Sequence, residues 1–160
     1  MARETGPVLI AYDGSEVCQV AVRHAADLFA GRPAVVVTVW EAGLAAYAWA
    51  YPTGQPSTLL PDPATVEELD RLRRERASTV AADGAELARS AGLDAEPQAV
   101  PDEVDVADRL IEIARERGAA VVVVGSHGIS GLRKRLLGSV SRKLIEHCDR
   151  PVLVVRGDSS

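Results

Sequence analysis

The residues best placed to do chemistry lie between Val121 and Ser141. Four valines, Val121–Val124, run into Gly125-Ser126-His127-Gly128, and nine residues later the chain reaches Gly138-Ser139. Arg133, Lys134 and Arg135 fall in that gap and form an unbroken run of three cations. Glycines let backbone amides approach an oxyanion without interference from a Cβ. A helix beginning at Gly138-Ser139 would add unpaired N–H groups and the positive end of its dipole, and Ser139 and Ser141 would add hydroxyl donors. Each piece alone reads better as a turn or a helix cap. Strand, glycine loop, cations and helix start in this order point to phosphate binding. His127 lies inside the loop; a general base needs a partner and a substrate proton, and the sequence identifies neither, so it reads as a binding or pH-sensitive group. Asp13, in Asp13-Gly14-Ser15, is either an Asx-turn residue or a second contributor to the same site.

The elements that must position these groups emerge from the apolar pattern. Pro7–Tyr12, Ala34–Trp40, Ala119–Val124 and Pro151–Arg156 are short apolar runs that predict buried strands, and Ala95–Val100 a weaker edge strand containing Pro97. A helix is expected after Ser15, with Val17, Val20, Ala21, His24, Ala25, Leu28 and Phe29 on one face. Long helical spacing covers Ala64–Ala91, and shorter helices are expected over Val104–Arg117, capped by Asp102, and over Val140–His147. The alternation predicts an α/β fold with a single doubly wound, five-stranded parallel sheet, Rossmann-like, in strand order 3-2-1-4-5 with helices on both faces. Ligands on such sheets bind at the carboxyl ends of the strands beside the switch point, where the loops after strands one, two and four would meet.

Composition narrows the class. The 160 residues predict one domain, residues 1–160 with a core of about 6–157, and 47% apolar against 26% charged residues argues against global disorder. A net charge of −5 disfavours a surface devoted to nucleic acid while leaving room for a local anion site. The first residues are too polar for a secretory signal, no apolar run reaches membrane-spanning length, and Cys18 and Cys148 lack metal-ligand spacing. A soluble cytoplasmic protein without membrane attachment is therefore expected. Residues 41–63 form a long proline-rich segment with the aromatics Tyr47, Trp49 and Tyr51. A loop of that length suggests a lid, an interface or a mobile stretch.

The glycine pattern is neither a P-loop, since GxxxxGK[ST] is absent, nor a dinucleotide GxGxxG after a first strand. Gly125, Gly128, Gly138 and Ser139 instead fit G-x2-G-x9-G-[ST], and with VLIAYDGSE, VVVTVW, VVVVGSHG and RPVLVVR the chain resembles the ATP-binding branch of the universal stress protein family along nearly its whole length. The resemblance implies an adenine-nucleotide site. Ala11, Tyr12 and Asp13 would line the nucleotide from the first loop, and Val39 would pack on the adenine. Val124, Gly125, His127 and Gly128 would serve ribose and phosphate, and Gly138, Ser139, Val140 and Ser141 the triphosphate. Tyr12 stands where a small residue is common, so it would narrow the pocket or stack on the base. The implied ligand is ATP, with magnesium or manganese as the divalent ion. The implied assembly is a homodimer through Pro151–Arg156, and the implied role is a nucleotide-dependent stress regulator without a dedicated catalytic residue. A slow or autophosphorylating ATPase, or a binder of another adenine nucleotide such as cAMP, is the alternative.

Overall fold

The computed structural model describes residues 6–43, 62–102, 105–128 and 137–157. The aromatic part of the 41–63 segment and the Arg133, Lys134 and Arg135 cluster lie outside these residues. The elements run β1 (Val8–Ala11), α1 (Glu16–Phe29), β2 (Pro33–Glu41), α2 (Pro63–Ser90), β3 (Asp94–Asp102), α3 (Val106–Glu116), β4 (Val121–Gly125), α4 (Ser139–His147) and β5 (Val152–Val155). The strands form one five-stranded sheet in the order β3-β2-β1-β4-β5, and every pairing is parallel.

The strands read as unbroken apolar runs because both faces are covered. Alternate residues point to opposite sides. Val8, Ile10, Val36 and Val123 pack with Ala21 and Ala25 of α1 and Ala85 and Ala88 of α2. Leu9, Val35, Val37 and Val122 pack with Leu110 and Ile113 of α3 and Leu144 of α4. Both faces of the sheet are thus desolvated, which is the condition for valine-rich strands with no polar alternation.

Several boundaries and faces differ from the sequence expectation. On α1 the buried stripe is Val17, Cys18, Ala21, Val22, Ala25 and Ala26, while Leu28 is 62% exposed and His24 faces solvent. The helix lies over β1 and β4 with its small residues inward, which turns the larger Leu28 out. On α2 burial is confined to Ala77, Ala81, Gly84, Ala85 and Ala88, and Leu72 in its first half is 48% exposed. The cap of α3 is Asp105, whose carboxylate accepts from the amides of Ala107 and Asp108. Asp102 instead ends β3 and accepts from the Ala42 amide at 3.3 Å.

The two sheet edges are unlike. On β3, Asp94, Glu96, Pro97 and Pro101 interrupt the apolar run, and the Arg117 guanidinium ties down Glu96 at 2.7 Å and Gln98 at 2.8 Å. On β5, Val152, Leu153 and Val154 are half-buried and carry neither charge nor proline. Pro151, Leu153 and Val155 turn their carbonyls to β4, as the Val122 and Ser126 amides show by donating to Pro151 and Val155. Val152 and Val154 therefore direct their amides outward.

Candidate functional site

The site forms where β1, β2 and β4 end. β1 stops at Ala11, and the next amide, that of Tyr12, still donates to the Val37 carbonyl of β2 at 2.9 Å. The Tyr12 carbonyl accepts the buried Thr38 hydroxyl at 2.8 Å. Val39, two residues after Val37 along β2, turns its amide and carbonyl to the same side, toward the space beyond the end of β1. Asp13 comes next after Tyr12, half-buried, with its carboxylate accepting from the Ser15 amide at 2.9 Å. Ser15 in turn caps α1 by accepting from the Cys18 amide. The Asx turn and the site reading of Asp13 are therefore compatible: one carboxylate oxygen makes the turn, and the other reaches the glycine loop.

That second contact explains Gly128. A Cβ built there would lie 2.7 Å from Asp13 Oδ2, so the glycine is what allows the first loop to touch the loop after β4. Gly125 serves a related purpose. Its missing Cβ would meet Val17 Cγ1 at 2.7 Å, so the first turn of α1 packs directly on the end of β4. In this structure the two glycines make room for protein neighbours, Val17 and Asp13, where the sequence suggested room for an oxyanion.

Ser126, which the sequence did not single out, is the structural node of the loop. Its amide donates to the Val155 carbonyl of β5 at 2.7 Å, and its own carbonyl accepts from the Gly138 amide at 2.7 Å. The Ser141 hydroxyl, almost fully buried, lies 3.2 Å from the same carbonyl and 3.0 Å from that of Gly138. The neck of the 127–137 loop is thereby closed and the start of α4 is pinned to the end of β4. Ser126 Oγ also lies 3.1 Å from His127 Nδ1, which fixes the imidazole beside the neck.

The pinning sorts the expected phosphate ligands. The Gly138 amide and the Ser141 hydroxyl are held by protein carbonyls. The first intrahelical bond of α4 is from the Arg142 amide to the Gly138 carbonyl. The amides of Ser139, Val140 and Ser141 form the first turn and have no intrahelical acceptor. Ser139 is exposed at that end. Gly138 has a φ of −65° and ψ of 164°, the extended cap conformation, and a Cβ there would meet nothing nearer than 3.5 Å.

The apolar residues divide by face. Ala11, Val39, Val124 and Val140 all belong to the cluster on the α3/α4 side of the sheet. Tyr12 belongs to the opposite cluster, and its ring packs on α2, where a Cβ on Gly84 would lie 2.6 Å from Tyr12 Cδ1. The expectation that the ring narrows a base pocket is therefore corrected: alternation along β1 sends it to the α2 side, and only the Tyr12 main chain reaches the strand ends. Burial raises the Tyr12 phenol above its usual pKa, with the charges of Cys18, Asp83 and Asp13 acting in the same direction. The Cys18 thiol beneath is pushed up to about 11 by burial and by Asp13. Thr38 is a second residue the sequence reading passed over, although a lone hydroxyl in the run AVVVTVW is a signal in itself, because a buried hydroxyl must find an acceptor.

A parallel doubly wound sheet with a helix start and two loops converging at its switch point is the architecture of a Rossmann-like ligand-binding protein. Residues 4–156 match the Universal stress protein family, and the chain belongs to that family. It is 30% identical to universal stress protein YxiE of Bacillus subtilis over 165 residues, covering 93% of this chain and 97% of the relative. The solved structure of MJ0577, a universal stress protein of Methanocaldococcus jannaschii, superimposes with a TM-score of 0.75 at 21% identity, covering 98% of this chain and 99% of that one. The universal stress protein of Archaeoglobus fulgidus, solved in complex with dAMP, superimposes with a TM-score of 0.61 at 21% identity, covering 94% and 98% of the two chains. Among the described residues no helix is long and apolar enough to cross a membrane.

Proposed function

We propose that this chain binds ATP at the ends of β1, β2 and β4 and acts as a nucleotide-dependent regulator. The observation that carries the reading is the gathering of three elements at the strand ends: Asp13 touching Gly128, Val39 facing the gap beyond β1, and the first turn of α4 pinned through Ser126 to the end of β4. The likeness to a relative solved with dAMP supports adenine as the base. Adenine presents an acceptor at N1 next to a donor at N6, and a Val39 amide and carbonyl side by side match that edge. Guanine presents the reverse pattern. Ala11, Val39 and Val124 would give the base an apolar wall, with Asp13 toward the ribose.

The phosphates would then run past Gly125, His127 and Gly128 to the α4 start, where the Ser139, Val140 and Ser141 amides and the Ser139 hydroxyl can donate. Anions are favoured there by both the unpaired N–H groups and the helix dipole. If magnesium or manganese accompanies the nucleotide, Asp13 would be the carboxylate to hold it and the ion would neutralise phosphate charge; among the described residues no cluster of three or more potential ligand side chains forms a site by itself. The apolar β5 edge, which no other strand pairs among the described residues, favours pairing of Pro151–Arg156 with its copy in a homodimer, whereas the β3 edge is blunted by charge and proline. Because Ser126 bonds both Val155 and Gly138, nucleotide contacts and the dimer edge share a node.

The readings of a slow ATPase or of a cAMP binder use the same adenosine contacts and differ in the fate of the phosphates. Autophosphorylation at Ser141 is disfavoured by its burial and its two carbonyl neighbours, which leaves Ser139 as the acceptor in that variant. Mass spectrometry of nucleotide released from the purified protein, with calorimetric titration against ATP, cAMP and GTP, tests the proposal. Tight ATP binding with GTP much weaker supports it; no adenine nucleotide bound at millimolar concentration refutes it.

A further inference from the structure

The geometry points to Thr38 as a positioning residue that stops the β1–β2 ladder one step short and so keeps the Val39 main chain open to a base. This inference rests on adenine being the base bound. The ladder is regular as far as Ala11 and Val37, which are partners in register, and the Tyr12 amide adds one more bond to the Val37 carbonyl at 2.9 Å. In a continued parallel ladder the next bond would run from the Val39 amide to the Tyr12 carbonyl. That carbonyl instead accepts the Thr38 hydroxyl at 2.8 Å, in a site where Thr38 is only 7% exposed.

The substitution of a side-chain donor for a main-chain donor has two consequences. It satisfies a buried carbonyl that would otherwise draw the Val39 amide toward it. It also braces Tyr12, and with it Asp13, against the strand carrying Val39, so the two halves of the base site keep a fixed separation. Tyr12 is held from the other side as well, because its ring fills the space left by Gly84 on α2. The carbonyl therefore has little freedom to find another donor elsewhere. Thr38 never touches the ligand in this arrangement; it acts through Tyr12 and Val39.

The test uses Thr38→Val, which keeps β-branching and volume while removing the hydroxyl, and Thr38→Ser, which keeps the hydroxyl. Affinities for ATP and GTP are measured by calorimetry well below each variant's unfolding midpoint. Thr38→Val is expected to weaken ATP about tenfold, the scale of one lost directed hydrogen bond, and GTP, which makes no use of the Val39 edge, by clearly less, so that the ATP-to-GTP ratio falls. Thr38→Ser is expected to keep the ATP-to-GTP ratio. In the ligand-free protein, hydrogen exchange at the Val39 amide is expected to slow in Thr38→Val, because that amide gains the Tyr12 carbonyl. A purely structural role would lower the unfolding midpoint and leave both the ratio and the exchange rate as they were, and that result would overturn the inference. If Thr38→Val does not fold, Thr38→Ala is judged by the same two readouts. Failure of the wild type to prefer ATP over GTP refutes the adenine reading and this inference with it, whereas a wild-type preference that survives in Thr38→Val refutes this inference alone.

Discussion

Gly138→Asp separates folding from binding more cleanly than any other change at the site. Gly138 caps α4 in an extended conformation, with its nearest would-be Cβ neighbours, His127 Cα and Ser126 O, at 3.5 Å. That is ordinary van der Waals contact, so a side chain fits without moving the backbone. Aspartate is also among the preferred N-cap residues, and replacing a glycine cap changes helix stability by only a few tenths of a kcal/mol. The folded state should therefore be as stable as the wild type. Binding is another matter. A capping carboxylate accepts from the amides two and three residues on, here Val140 and Ser141, which the proposal assigns to phosphate. It also places a negative charge beside the phosphates. At about 5 Å and an effective dielectric near 20, one such pair repels by roughly 3 kcal/mol. ATP affinity should fall at least about a hundredfold, while the unfolding midpoint in denaturant stays within error. Calorimetry on the variant, paired with a chemical unfolding curve, reads both quantities. ATP affinity within threefold of wild type, on a protein of unchanged stability, would remove α4 from the phosphate site.

Other consequences arise from single contacts. Gly84→Ala should gain about 1 kcal/mol of helix propensity but place its Cβ 2.6 Å from the Tyr12 ring, so it should destabilise the wild type and stabilise Tyr12→Leu. Denaturant unfolding of the double-mutant cycle checks the sign change. The native state binds the Cys18 proton more tightly than the unfolded chain, whose thiol titrates near its usual value of about 8.5. Stability from this group is thus fully present below that value and is lost as pH rises toward about 11. Unfolding midpoints should accordingly fall across that interval, less steeply in Cys18→Ala, whereas an equal fall in both proteins would remove Cys18 as the cause. Val154 directs its amide away from β4, so Val154→Pro should leave the sheet intact and remove a strand-pairing donor. If the wild type pairs through β5 as proposed, light scattering should show a dimer for it and a monomer for Val154→Pro, and an unchanged dimer would exclude pairing through β5.

The sequence carried the architecture because each signal was local. Runs such as PVLIAY and AVVVTVW are apolar on both faces, and only a sheet covered on both sides buries such strands. Crossover handedness then left few ways to order them, and the observed order matches the expected one. The G-x2-G-x9-G-[ST] spacing marked the family, and the position of its glycines after the fourth strand was visible without coordinates.

What the sequence could not decide was which neighbour each group meets. Gly125 and Gly128 were legible as places where a Cβ is excluded, but only the packing shows that Val17 and Asp13 fill the space. Tyr12 was legible as an unusual residue beside Asp13. The pleat that sends its ring to Gly84 depends on a helix more than seventy residues away in the chain. Ser141 read as a phosphate donor because serines at helix starts often are; the approach of Ser126, fifteen positions earlier, turns its hydroxyl inward. Spacing along one strand or helix is written in the sequence because the backbone repeat converts it directly into a face. Contacts between elements depend on how the layers settle against one another, and that was decided by the tertiary structure, in which Thr38, Ser126 and Gly84 acquire their roles.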